Sequence, residues 1–185
     1  MAIELAGDRR RITLLEYALR SKPDALSLLE VGCGSGSVLA AASALYPRAA
    51  LTGIDCNPKR IEGARRRTPH IRWHTAPVEH LPFSDATFDL VLAGMTFHHW
   101  TDKQQGLREI ARVLAPDGVF VLVDPIMAGP LSHGWLGRLA QRLDGGQFTD
   151  PEDFERMTRR ADLRILEQAI IAGSMKTLSV FVLAR

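Results

Sequence analysis

Two cysteines, Cys33 and Cys56, are all that 185 residues contain. Two are too few for a disulfide framework or a cysteine-rich metal cluster. The expectation is a pair of reduced thiols in a reducing compartment, with no metal; a regulatory disulfide between them is the disfavoured alternative. Long apolar runs are missing too. Nowhere do about 18 apolar residues follow one another, so no membrane span is expected. The opening MAIELAGDRRRITLLEYALR has neither a long apolar core nor a small-residue cleavage site, which argues against a secretory signal and for a cytoplasmic protein. Charge of one sign is also lacking: 23 basic residues face 21 acidic ones, for a net of +2. That balance gives no global reason to expect a nucleic-acid partner. The one basic run, Arg65-Arg66-Arg67, closes an expected helix, where it suits the macrodipole as a solvated face. Repeats and low-complexity linkers are absent, so residues 1–185 read as a single domain with one core.

What the chain does contain is alternation. Ile12, Leu15 and Leu19 recur at helical spacing and predict a helix over about 9–20, broken by Lys22-Pro23-Asp24. ALSLLEV reads as a first strand, GSVLAAASALY as a helix stopped by Pro47, and AALTGID as a second strand. Asn57 is a good N-cap with Pro58 at the first helical position, opening NPKRIEGARRR. IRWHTA and FDLVLAG read as strands three and four. Thr101-Asp102 cap a helix with Leu107, Ile110, Ala111 and Leu114 on one face. APDG turns into VFVLVD, strand five. A glycine-rich stretch, 128–147, follows with a short helix expected near 135–143. Asp150-Pro151-Glu152 starts another helix, with Phe154 and Met157 inward. LRILEQAII and KTLSVFVLA, joined by a tight turn at AGSM, predict an antiparallel hairpin. Strands that alternate with helices and are apolar on both faces predict a mostly parallel sheet covered on both sides, an α/β fold with an antiparallel C-terminal edge.

The densest signal is LLEVGCGSG, residues 28–36. In a doubly wound sheet the loop after strand one is the switch point where ligands bind. Gly32, Gly34 and Gly36 there allow a tight turn and close approach to backbone amides. Asp55 ends strand two, at a distance suited to accepting both ribose hydroxyls of an adenosine group. The dinucleotide spacing fails, because the sixth position is Ser37 or Leu39 in the two registers. The phosphate-loop pattern fails as well, since no Lys-Ser or Lys-Thr follows. Glu30, two residues ahead of the glycines, would repel a pyrophosphate but suits a ligand with a cationic amino group.

These residues resemble the first motif of class I S-adenosylmethionine-dependent methyltransferases, of the type 11 small-molecule branch that includes ubiquinone and menaquinone methyltransferase relatives. GIDCNPKRIEGARRR, EHLPFSDATFDLVLAG and FHHWTDKQQGLREIARVLAPDGVFVLVDP resemble later segments of the same family, in order. The resemblance implies a Rossmann-like three-layer sandwich with a seven-stranded sheet. It implies S-adenosylmethionine as cofactor and methyl transfer to a small-molecule acceptor, with no nucleic acid as partner. Residues 1–25 would form an N-terminal helical cap and 125–150 a substrate-side insertion.

By position, the resemblance puts Gly32, Cys33, Gly34 and Gly36 under the methionine and ribose portions of the cofactor. Glu30 orients the loop or meets the amino group through water, Asp55 holds the ribose, and Cys56 packs beside adenine. Ala93 and Gly94, ending strand four, contact the methionine moiety. The family usually has Asp-Ala before EHLPF, and its Asp meets the adenine amino group. Here Pro77 and Val78 stand there, and Pro77 has no amide proton to donate. His98 and His99 are candidates for a general base. His133, Asp124 and Trp100 are candidate substrate contacts, and Trp100, Trp135 and Phe148 candidate walls of an apolar acceptor pocket. GMTFHHW after strand four has no NPPY-like or DPPY-like run, which in family terms argues against adenine-N6 or glutamine methylation. A protein that holds the cofactor without transferring methyl is the alternative. A nicotinamide-dependent oxidoreductase is disfavoured by the failed spacing.

Overall fold

A computed structural model of the chain describes residues 9–126, 147, 149–171 and 178–185. The helix expected near 135–143, His133, Trp135, Phe148 and the turn at 172–175 lie outside the described residues. The elements are α1 (Arg9–Ser21), β1 (Ser27–Val31), α2 (Ser37–Leu45), β2 (Ala50–Asp55), α3 (Pro58–Arg67), β3 (Arg72–Thr75), β4 (Phe88–Gly94), α4 (Lys103–Val113), β5 (Leu114–Asp124), α5 (Pro151–Arg160), β6 (Arg164–Ile171) and β7 (Leu178–Ala184). One seven-stranded sheet has the order β3-β2-β1-β4-β5-β7-β6. The first five strands run parallel. β7 pairs antiparallel with both β5 and β6. This is the expected Rossmann-like architecture with its antiparallel edge.

The local signals explain most boundaries. The Asn57 side chain accepts hydrogen bonds from the amides of Lys59 and Arg60 and starts α3, with Pro58 in the first turn, where a missing amide costs nothing. Asp102 caps α4 through the amide of Gln105, and Asp150 caps α5 through that of Asp153. One boundary differs from expectation. APDG suits a turn ahead of strand five, yet β5 begins at Leu114, which pairs with Phe88, and the next rung joins Leu90 to Val119. Ala115–Gly118 bulge out of the ladder opposite Asp89 alone, so the turn residues sit inside the strand without ending it.

The central strands bury both faces, which is why they read as continuous apolar runs. Leu28, Leu90, Leu92, Val121 and Val123 pack with Leu14 and Leu15 of α1, Leu39 of α2 and Ile61 of α3. Leu29, Val91, Phe120 and Leu122 pack on the other side with Leu107 and Ile110 of α4 and Phe154 of α5. Each fully buried Leu or Phe contributes roughly 1.5–3 kcal/mol.

A polar lattice positions the crossing between β3 and β4. The Arg112 guanidinium, at the end of α4, donates to the carbonyls of Leu81 and Phe83 and to Asp85, while Glu109 accepts from the Leu81 amide. The Glu109–Arg112 pair holds the Glu109 carboxyl below its ordinary range, chiefly by direct hydrogen bonding. The turn at Pro77–His80 is thereby tied to the α4 side of the sheet.

Candidate functional site

β1 and β2 stop at the same edge of the sheet, and the chain turns sharply after each. After β1, Gly32, Gly34 and Gly36 all have positive φ, at 66°, 53° and 78°. Two of them are also glycine for lack of room. A Cβ on Gly32 would lie 2.1 Å from Thr96 Oγ1, and one on Gly36 2.4 Å from Trp73 Cη2. Space above Gly34 is open, with no atom within 4 Å of a Cβ built there.

Asp55 ties the two turns together. The Gly34 amide donates to its Oδ2 at 2.9 Å and the Asn57 amide to its Oδ1 at 2.8 Å. An ionised carboxylate accepts about four hydrogen bonds, so roughly two acceptor positions remain for a ligand. Asp55 is buried among protein atoms yet forms part of the lining of the cleft.

Glu30 lies behind the loop, 3% exposed. Its Oε2 has no hydrogen-bond partner among the described residues. Burial pushes its pKa up to about 8; the Leu39 amide opposes the shift and the nearby Asp55 charge adds to it. A buried acid with one idle oxygen behind a glycine turn suits a ligand that brings positive charge. Cys33 is buried, its thiol pKa pushed well up by burial and by the Glu30 and Asp55 charges, so it is a poor nucleophile. Cys56 is exposed, and both cysteines are free thiols.

The cleft itself has a volume of about 590 Å³ and opens at the carboxyl ends of the strands. Of the expected cofactor residues, Gly32, Asp55, Cys56, Pro77 and Val78 line it. Glu30, Cys33, Gly34, Gly36, Ala93 and Gly94 are not part of that lining. At the end of β4 the lining comes instead from Met95 and Thr96. Met95 has φ 56°, a left-handed bend at a non-glycine residue, and its amide donates to the Val123 carbonyl at 2.8 Å. Arg60, Glu79 and Thr101 also face the cleft; each lies within a family-like segment, but none was given a role in the site.

The two adjacent histidines part company. A single 3₁₀ turn, Phe97–His99, carries them. His98 is buried, its Nδ1 3.0 Å from both oxygens of Asp124. Asp124 is 1% exposed and also accepts from the Phe97 amide at 3.0 Å. Burial drives its pKa up, while the His98 contact opposes the shift. This carboxylate, expected as a substrate contact, therefore sits beneath the site. His99 is exposed and lines the cleft beside Trp100. The Trp100 Nε1 is buried without a hydrogen-bond partner among the described residues. Among the described residues no group of three His, Cys, Asp or Glu side chains converges as a metal site. No helix among them is long and apolar enough to cross a membrane.

Known proteins resemble this chain in sequence and in fold. A demethylmenaquinone methyltransferase of Chlorobaculum parvum is 37% identical over 100 residues, 54% of this chain and 41% of that one. The O-methyltransferase cnsE of Penicillium expansum is 30% identical over 181 residues, 94% of this chain and 64% of that one. This chain thus spans from about two fifths to two thirds of the length of those relatives. A solved geranyl diphosphate C-methyltransferase of Streptomyces coelicolor A3(2), in complex with Mg²⁺, geranyl diphosphate and S-adenosyl-L-homocysteine, superposes with a TM-score of 0.79. The match covers 95% of this chain and 76% of that one at 13% identity, a likeness of fold. Residues 29–122 match the methyltransferase-domain family. With half its length inside that match, from β1 to nearly the end of β5, the chain belongs to the methyltransferase-domain family.

Proposed function

We propose that this chain binds S-adenosylmethionine and transfers its methyl group to a small-molecule acceptor. One observation carries the reading. A cleft at the carboxyl ends of the strands brings Gly32, the half-engaged carboxylate of Asp55 and the Pro77–Val78 turn onto one wall. That donor set fits an adenosyl ligand. Asp55 retains acceptor positions for two ribose hydroxyls, the glycine turn admits a close approach to backbone, and the buried Glu30 acid lies behind it. The demethylmenaquinone methyltransferase named above supports the small-molecule class of acceptor.

The bound cofactor supplies an electrophilic methyl on a sulfonium, which departs as a neutral thioether. The protein's own task is then alignment and exclusion of water. Holding two reactants in line is worth about 7–11 kcal/mol of a barrier. Thr96 and Met95 bound the cleft at the end of β4, and Trp100 supplies an apolar wall. Where the acceptor atom is a hydroxyl oxygen, His99 takes the proton, because it faces the cleft while His98 is committed to Asp124 beneath.

Titration calorimetry with S-adenosylmethionine and S-adenosylhomocysteine tests the binding step. Both should bind, and Asp55→Ala should weaken them on the order of tenfold or more by deleting charge-assisted hydrogen bonds. A well-folded wild-type protein that binds neither at millimolar concentration refutes the proposal. Incubation with methyl-labelled cofactor and a metabolite extract tests the transfer step. Binding without any labelled product would leave a cofactor-holding protein instead.

A further inference from the structure

The cleft carries one carboxylate that the motif reading assigned to nothing. Glu79 lies two residues past Pro77, in the turn closed by the His80 amide on the Pro77 carbonyl at 3.2 Å. Its Oε1 accepts from the amides of Thr101 and Asp102, at 2.9 and 3.0 Å. Those bonds dock the turn onto the N-terminus of α4 and fix the plane of the carboxylate. Oε2 has no protein donor among the described residues, while the half-buried side chain faces the cleft.

An adenine seated against Pro77–Val78 presents a 6-amino group, which needs an acceptor. Pro77 has neither a polar side chain nor an amide proton. Two carboxylates line the cleft among the described residues, Asp55 and Glu79. Asp55 is held across the glycine turn, by the Gly34 and Asn57 amides. Asn57 Oδ1 is spent on capping α3. Glu79 remains, pre-oriented, with one idle oxygen in the same turn as the proline.

We propose that Glu79 Oε2 is the acceptor for the adenine 6-amino group, and so the residue that selects adenine over other purines in this chain. The proposal rests on the reading that the cleft holds an adenosyl cofactor. It gives one side chain two tasks: Oε1 anchors α4 and Oε2 reads the base.

The two oxygens make the test clean. Glu79→Gln keeps a carbonyl oxygen for the Thr101 and Asp102 amides, and those two donors exclude the opposite amide orientation. An NH₂ group then replaces Oε2. It opposes a 6-amino group and suits the 6-oxo group of hypoxanthine. Binding of S-adenosylhomocysteine and S-inosylhomocysteine is measured by calorimetry on wild type and on Glu79→Gln, with circular dichroism to confirm the fold. Wild type should prefer the adenosyl ligand on the order of tenfold or more, and the variant should level or reverse that preference. A third ligand needs no mutation: the N6,N6-dimethyl analogue of S-adenosylhomocysteine has no amino hydrogens and should bind wild type at least about tenfold more weakly. An unchanged adenosyl-to-inosyl ratio in the folded variant overturns the proposal. So does a dimethyl analogue that binds wild type as tightly as the parent. In both cases the cofactor reading survives, because wild type still binds S-adenosylhomocysteine. Wild type that binds none of the three overturns that reading and this proposal together.

Discussion

Glu30→Gln isolates the electrostatics of the site in a measurement that needs no ligand. In the folded chain Glu30 releases its proton only at about pH 8, against 4.5 for an ordinary glutamate. Between those limits the folded state binds more protons than the unfolded state. Stability therefore falls as pH rises through this window, by at most about 1.4 kcal/mol per unit, and the loss is complete above about pH 8. The substituted glutamine resembles the protonated acid: it keeps an acceptor for the Leu39 amide and never ionises. Wild type and variant should thus be close in stability near pH 5. By pH 7.5 the variant should be more stable by about 2–3 kcal/mol, allowing for relaxation around the ionised acid. Urea unfolding at pH 5.5, 6.5 and 7.5 reads the difference, and comparing the pair cancels every group that titrates alike in both. A difference that stays flat across these three pH values, or one that turns against the variant as pH rises, refutes the claim that burial keeps Glu30 neutral.

Other perturbations probe the frame around the cleft. Gly36→Ala combines a left-handed φ of 78° with a Cβ 2.4 Å from the buried Trp73 ring, whose Nε1 donates to the Thr68 carbonyl. It should cost about 2–4 kcal/mol in chemical denaturation, and a neutral result would show that the turn is not held as described. Asp124→Ala strands His98 and the Phe97 amide in the interior and should cost about 3–5 kcal/mol, with Asp124→Asn costing less because it still accepts from Phe97. Thermal unfolding separates the two variants, and equal midpoints would mean that the bond from the Phe97 amide contributes nothing. Asp55→Ala also releases the Gly34 and Asn57 amides, so it should lower the unfolding midpoint as well as cofactor affinity.

Much of the fold was legible because its punctuation is local. Asn57-Pro58, Asp102 and Asp150-Pro151 start helices for reasons contained in a few residues. FDLVLAG matches β4 end to end, because a strand buried on both faces leaves a mostly apolar run, here interrupted only by the half-buried Asp89. The APDG excursion was not legible: the same residues suit a turn or a bulge, and only the pairing of Leu114 with Phe88 decides between them. In the site, the glycines and Asp55 announced themselves through spacing along one chain segment. Met95 and Thr96 did not, since nothing in their identity signals that β4 ends in a left-handed bend at Met95. Arg60, Glu79 and Thr101 come from three separate segments that only the tertiary structure gathers at one cleft. The paired histidines are indistinguishable as letters, and a single 3₁₀ turn gives one to the interior and the other to the cleft.

The contact between Gly32 and Thr96 reaches beyond packing. The threonine hydroxyl occupies the volume that any side chain at position 32 would claim. The loops after β1 and β4 therefore interlock, and the gap between them is set by one methyl-sized group. A larger residue at 32 becomes sterically admissible only after 96 has shrunk, and φ of 66° still favours glycine or asparagine there. Substitutions at the two positions are thus ordered in time: along a mutational path the change at 96 must come first. A Cβ at 32 would also lie 2.6 Å from the Thr96 Cβ, so a library randomised at both sites should return its folded members with glycine at position 96 whenever position 32 is not glycine.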